Sequence, residues 1–295
     1  MSARRSDGPR PSRARGRTVL WLMLLLAVVV MVGWAVGSNV LRDRGDEAAQ
    51  PTETAPPPIP FTIPEGLRRE DTAALIDEQI SPERPTLQSE DYVNLTKPSA
   101  RGQRLAGSDE PVSLEGFLFP KTYDIGTETT AKILVDAQIR EYRQHTNSIN
   151  YRYAKRRNLT EYDVLIIASM IEREVQVDPE RKLVASVIYN RLRNGMPLAI
   201  DATVQYALGE WKNQLTQSDL EIDSPYNTRV FAGLPPGPIA NPGEASLRAA
   251  ARPKETDFLF YVARNDGSGR HYFSKTEAEH LANVERARAA GGDSF

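Results

Sequence analysis

Between Arg17 and Arg42 the chain carries no charged residue, and its core from Val19 to Val36 is Leu, Val, Met, Ala and Trp with a single Gly. An apolar run of about 20 residues, at ~1.5 Å rise each, matches a hydrocarbon layer roughly 30 Å thick. The sequence therefore predicts one transmembrane helix over residues 18–38. Trp21 and Trp34 stand near its two ends, where amphipathic rings favour the interface. Ahead of the span Arg4, Arg5, Arg10, Arg13, Arg15 and Arg17 oppose one acid, Asp7. Positive residues stay on the cytoplasmic side, so residues 1–17 are expected to be a cytoplasmic tail, with the rest of the chain outside the cytoplasmic membrane. The rival reading is a signal peptide cut near Ala35-Val36-Gly37, but the apolar region of such a peptide usually runs only ~7–15 residues.

The whole chain has a formal net charge of −2; the tail contributes +5, which leaves the remainder at −7. That balance excludes a large basic field for nucleic acid. There is no cysteine, hence no disulfide and no thiolate-bound metal. His145, His271 and His280 lack metal-ligand spacing, and neither a Gly-rich phosphate loop nor a Gly-x-Ser-x-Gly elbow occurs. No metal or cofactor is expected, and nucleotide hydrolases and serine esterases are excluded.

Residues 39–60 read as a linker, with Pro51, Pro56, Pro57, Pro58 and Pro60 holding it extended as a spacer. A small α/β subdomain is expected over residues 61–110: an extended start at Phe61-Thr62-Ile63, a helix over 68–79, then loops and short helices. A helix-dominated domain follows over residues 111–295. Helices are predicted at 130–144 and at 161–175, the latter with Thr160 as N-cap. Asp178-Pro179 opens another, striped by Leu183, Val184, Val187, Ile188 and Leu192 and stopped at Asn194-Gly195. Loops are predicted around 201–204, 223–228 and 233–239, and a helix over 244–251 that ends before Pro253. The stretch 258–262 reads as a strand, paired through the Asn265-Asp266-Gly267 turn with 270–273 as a C-terminal β-hairpin. Thr276 and Glu279 have capping-box spacing for a last helix. The class is α+β.

Glu172 and Glu174 are the residues most suited to chemistry. At 100° per residue they fall on opposite shoulders of an apolar helix face, Glu172 near Leu165 and Ala168, Glu174 near Ile167 and Met170, while Arg173 points away. Apolar surroundings raise a carboxyl pKa, which suits a general acid at neutral pH. A shoulder glutamate is more commonly a solvated or ion-paired surface group, and residue geometry does not separate the two.

The stretch Ala168-Ser169-Met170-Ile171-Glu172-Arg173-Glu174, followed by Arg181-Lys182-Leu183-Val184-Ala185-Ser186-Val187-Ile188-Tyr189-Asn190-Arg191-Leu192, resembles the endolytic murein transglycosylase (YceG-like) family. So do Glu115-Gly116-Phe117-Leu118-Phe119-Pro120, Ser224-Pro225-Tyr226-Asn227-Thr228, Gly233-Leu234-Pro235-Pro236-Gly237-Pro238-Ile239, Asn241-Pro242 and His271-Tyr272-Phe273. The resemblance runs from about Phe61 to the C-terminus. Two departures are the linker's direct entry into Phe61, where the family usually has a longer LysM-like module, and Asp201-Ala202-Thr203 in place of Asp-Pro-Thr.

The resemblance implies cleavage of peptidoglycan strands between N-acetylmuramic acid and N-acetylglucosamine, leaving 1,6-anhydromuramoyl ends. It implies Glu172 as the catalytic acid and base, over Glu174. Asn190, Arg191, Asp201, Tyr226, Asn227, Asn241 and His271 are the implied sugar-binding groups, although each also suits bracing a loop. Nascent glycan strands and peptidoglycan synthases are the implied partners. Two other readings stay open: a hydrolytic muramidase with Asp201 or Asp223 activating water, and a non-catalytic glycan-binding scaffold.

Overall fold

A computed structural model of the protein describes Met23, residues 26–38 and residues 56–291. The basic tail and most of the linker lie outside the described residues, as does part of the expected membrane span. Residues 26–38 are helical, and no helix among the described residues is long and apolar enough to cross a membrane. Residues 1–55 and 56–295 form separate compact units, and the second holds both cores of the protein.

Strand β1 (Ile59–Thr62) pairs antiparallel with β2 (Thr122–Ile125), setting Ile59 opposite Ile125 and Phe61 opposite Tyr123. Alternation puts these side chains on one face, and Phe61, Tyr123 and Ile125 are buried there. Helices α1 (Arg69–Gln79), α2 (Ser89–Thr96), α3 (Ala100–Ala106) and α4 (Ala131–Thr146) accompany this ribbon. Ile76, Leu87, Tyr92, Leu114, Leu118, Leu134 and Ile139 join it in the smaller of the two cores, which draws on both sides of residue 110. Tyr92 meets its polar need inside that core by donating to Gln138 (3.0 Å).

The larger core surrounds α6 (Glu161–Glu174), which follows the single-turn α5 (Arg152–Lys155). Thr160 and Asp163 form a reciprocal capping box at its start (3.0 and 2.7 Å). Every residue from Val164 to Ile171 is buried, so α6 is a central helix covered on all sides until its last turn. A 3-10 turn (Asp178–Glu180) containing Pro179 leads into α7 (Arg181–Arg193). The Pro-initiated helix expected there thus begins as a tighter turn.

Residues 201–204, expected as a loop, form the start of α8 (Asp201–Leu208), and α9 (Gln217–Leu220) is a short helix beyond it. The physical reason lies in the preceding backbone. Ala199 is left-handed (φ 52°) and turns the chain, and the Thr203 hydroxyl donates to the Ile200 carbonyl (2.6 Å) while accepting from the Thr228 hydroxyl (2.9 Å). A helix pinned by tertiary hydrogen bonds needs no long apolar stripe to announce it.

Helix α10 (Glu244–Ala251) crosses α6 and α7, with Ala249, Ala250 and Ala251 buried against them. Strands β3 (Phe260–Ala263) and β4 (His271–Ser274) form the hairpin, about two residues later at the start than the apolar run suggests, and α11 (Glu277–Gly291) lies on it. The Thr276–Glu279 box is present (3.2 and 3.4 Å). The observed class is α+β, with two small two-stranded sheets among helices.

Candidate active site

The last turn of α6 leaves the core and fans three side chains outward. Glu172 turns toward the start of α10: one carboxylate oxygen accepts the Gly243 N–H (3.1 Å) and the other lies 3.4 Å from the Arg181 guanidinium. Arg181, buried, also donates to Ser246 (2.9 Å) and Asp178 (3.1 Å). Glu65 reaches into the same corner, its carboxylate lying against Gly243 where any Cβ would collide with it. Burial and the nearby Glu172 raise the Glu65 carboxyl above its usual range, and Arg181 pulls the other way. Gly66 has φ +80°, and the position its Cβ would take is 3.5 Å from Glu172 Cγ; a glycine suits both the conformation and the close approach.

Arg173 turns to the surface. It donates to the Gly66 carbonyl (3.0 Å) and lies 3.9 Å from the Trp211 ring centre, with the Arg68 guanidinium 5.1 Å from the same ring. Trp211 Nε1 faces Asp71 (3.4 Å).

Glu174 turns the opposite way, toward the hairpin and the start of α8. The Tyr261 hydroxyl donates to it at 2.8 Å. Burial raises the Glu174 carboxyl above its ordinary value, Asp201 raises it further, and Tyr261, His271 and the Ala202 backbone oppose the shift. Burial and the Glu174 charge hold the Tyr261 phenol well above its normal range, so it remains a donor. The His271 ring meets Tyr261 edge to face (5.4 Å, 90°) and is held through Nδ1 by Glu180 (2.8 Å).

The structure therefore gathers Glu174, Asp201 and His271 at one place, with Asp201 itself exposed and paired with Arg229 (2.6 Å). The other sequence-predicted groups sit in the surrounding frame. Asn190 donates to the Thr256 and Phe258 carbonyls (2.8 and 2.9 Å), and Arg191 donates to the Leu259 and Leu198 carbonyls. Buried Asn227 donates to the Leu220 and Ile222 carbonyls (both 2.9 Å). Tyr226 packs its ring against Tyr206 at 4.8 Å.

Asn241 is buried, and all of its side-chain capacity is used. Its oxygen accepts the Gly116 and Leu118 N–H groups (2.8 and 3.1 Å), and its nitrogen donates to Leu67 O and Glu115 Oε1 (2.9 and 2.7 Å). Tyr261, Arg181, Glu65, Gly243 and Trp211 do not stand out in the sequence. Tyr261 lies in an apolar strand and reads as core, and only a phenol within that run hints at a polar role.

Glu115 is wholly buried beneath this brace, and burial with nearby Glu70 pushes its carboxyl up to about 8 against the opposing Arg69 N–H. A carboxyl raised in the folded state binds its proton more tightly there than in the unfolded chain. The resulting stability is complete below the unfolded value near 4.5 and drains away as pH climbs through about 8. Glu115→Gln imitates the protonated form and should flatten this dependence. Its unfolding free energy relative to wild type, from urea titration, is expected to rise between pH 5 and 8 by an amount on the order of a few kcal/mol; parallel pH curves for the two proteins would refute the assignment.

Among the described residues no group of three or more His, Asp or Glu could hold a metal ion. Fold and site together define an α+β domain with a carboxyl-centred site at the exit of a buried helix, an arrangement suited to acid–base chemistry. The chain belongs to the YceG-like family, whose match covers residues 41–286. It is 36% identical over 231 residues to the endolytic murein transglycosylase of Bacillus subtilis, covering 75% of this chain and 62% of that protein. Against the endolytic murein transglycosylase of Streptococcus pneumoniae strain R6 it is 35% identical over 176 residues, 58% of this chain and 32% of that one. The chain thus spans under two thirds of the length of either relative. A crystal structure of a YceG-like protein from Listeria monocytogenes superposes with a TM-score of 0.66 at 35% identity, covering 76% of both chains.

Proposed function

We propose that this protein is an endolytic lytic transglycosylase that cuts nascent peptidoglycan strands between N-acetylmuramic acid and N-acetylglucosamine. The observation that carries the mechanism is the contrast between the two glutamates. Glu172 is held by a guanidinium and a backbone N–H, partners that complement a carboxylate. Glu174 is pushed toward its protonated form by burial and by Asp201, the state a general acid needs. The geometry favours Glu174 as the acid, where the sequence resemblance points to Glu172.

In this reading Glu174 gives its proton to the glycosidic oxygen as the bond from muramoyl C1 breaks. The resulting carboxylate takes the proton of the same sugar's 6-hydroxyl as O6 bonds to C1. Atoms balance without water, so one carboxyl serves both steps and an ordinary glycosidase pair is not required. Tyr261 steadies the carboxylate between the two steps, and His271, fixed by Glu180, steadies Tyr261. Mass analysis of products from uncrosslinked glycan tests the reaction: anhydro ends are expected, whereas reducing ends would replace the proposal with hydrolysis, Asp201 then being the group placed to activate water.

The same proposal places the enzyme on the cytoplasmic membrane, single-pass, with residues 56–295 outside. Support comes from the arginine-rich tail and from Met23, Leu26, Val28, Val29, Val30, Met31, Val32, Trp34 and Val36, all large apolar side chains exposed on the described part of the span. The synthases that make the strands are the partners we infer. A reporter that works only outside the membrane, fused after Phe295, is expected to be active; activity of a cytoplasmic reporter there would reject the orientation.

A further inference from the structure

At the far end of α10 from Glu172, the residues around α5 and the α10 C-terminus enclose a cavity of about 490 Å³. Arg152, Arg156 and Arg252 line it together with Tyr153. Several arginines of this acidic domain are matched to carboxylates, among them Arg68 with Asp71, Arg101 with Asp136, Arg229 with Asp201 and Arg248 with Glu244. Among the described residues, the guanidiniums of Arg152, Arg156 and Arg252 have no such partner. Glu255, the acid of the lining, pairs with none of them. Three arginines against one acid leave the lining with a net positive charge that an anionic ligand would complement.

The walls are rigid. Tyr153 meets Tyr189 edge to face at 5.2 Å and carries the Arg157 guanidinium 3.6 Å from its ring centre. Tyr189 in turn donates to the Ala250 carbonyl (3.0 Å), and Ala154 and Ala251 are buried behind the cavity. The site is therefore a fixed concave base with exposed cationic arms, and guanidinium forks suit planar oxyanions.

We propose that this cavity binds the free carboxylates of a peptidoglycan stem peptide. The assignment rests on the function proposed above, because such stems hang from the muramoyl units of its substrate. Distance fits the idea. The eight residues of α10 put its two ends ~12 Å apart, and a five-residue extended stem reaches roughly 16 Å. A strand lying at the end of α6 would bring a neighbouring stem to these arginines. The enzyme would then favour glycan whose peptides still carry free carboxylates, which is the state of strands not yet crosslinked.

The test is calorimetry with the full chain and three probes: a stem pentapeptide with its carboxylates free, the same peptide with every carboxyl amidated, and inorganic phosphate. The free acid is expected to bind. Amidation, or the Arg152→Ala/Arg252→Ala double substitution, should weaken binding by about tenfold or more, the scale of lost charge-assisted hydrogen bonds. These arginines are exposed, so the variant should fold and should cut peptide-stripped glycan as wild type does. Equal affinity for the free and amidated peptides, or an undiminished affinity in the variant, would overturn the proposal. Binding of phosphate without binding of the peptide would also overturn it. Because the binding readout needs no turnover, failure of the transglycosylase reading would appear separately, as an absence of anhydro products.

Discussion

Glu174→Gln is expected to lower release of anhydromuropeptides by at least about 10²–10⁴-fold, the usual worth of general acid–base assistance, because one group is asked to serve both half-reactions. The substitution keeps size and the Tyr261 hydrogen bond (2.8 Å) but removes the proton that must be delivered and retrieved. Glu172→Gln should act differently. It withdraws an anion from the buried Arg181, which retains Asp178 and Ser246, and should therefore cost about 1–3 kcal/mol of stability with a smaller loss of turnover. Both variants are compared with wild type on uncrosslinked glycan after their folding is checked. The reverse ranking would return the acid to Glu172, and wild-type activity in both would remove the carboxyl mechanism altogether.

The second large effect concerns stability. Asn241→Ala deletes four hydrogen bonds at a buried position and strands the Gly116 and Leu118 N–H groups, while the Leu67 carbonyl and Glu115 Oε1 keep one backbone donor each. Each stranded buried group costs about 1–3 kcal/mol, with partial relaxation. A loss of roughly 3–5 kcal/mol is expected, a large part of the 5–15 kcal/mol typical of a domain. Chemical denaturation measures it, and a loss under about 1 kcal/mol would show that the brace is not what fixes these segments. Because the backbone of Asn241 also pairs with Gly66 and Leu67 (both 2.9 Å), the variant should loosen the loop that leans on Glu172.

How far each element can be read from the sequence depends on how local its cause is. The start of α6 is readable because Thr160 and Asp163 act within one turn, and the end of α10 because Pro253 comes soon after it. Helix α8 is not, since its first turn depends on Thr228, 25 residues away from Thr203. The site divides in the same manner. Two glutamates on the shoulders of an apolar helix can be named, but not ranked. Their difference is made by Gly243 and Tyr261, 71 and 87 residues distant from the carboxylates they touch. Asn190, Arg191, Asn227 and Asn241 are equally readable as sugar ligands or braces, because an amide's or guanidinium's partner is a property of the tertiary fold. The arginines of the α5 cavity read as ordinary surface charge, since only folding brings Arg252 beside Arg152 and Arg156.

Trp211 is the one tryptophan in the chain beyond residue 55, and two guanidiniums and the Asp71 carboxylate surround its indole. Its emission therefore comes from a single spot, touched by the α6 residue that stands between the two glutamates, in a field set by nearby charges. A soluble form of residues 56–295 carries its own optical reporter. Glycan that displaces Arg173 from the ring should change the intensity and colour of that emission, so occupancy of the site can be followed in real time without labelling the enzyme or the sugar.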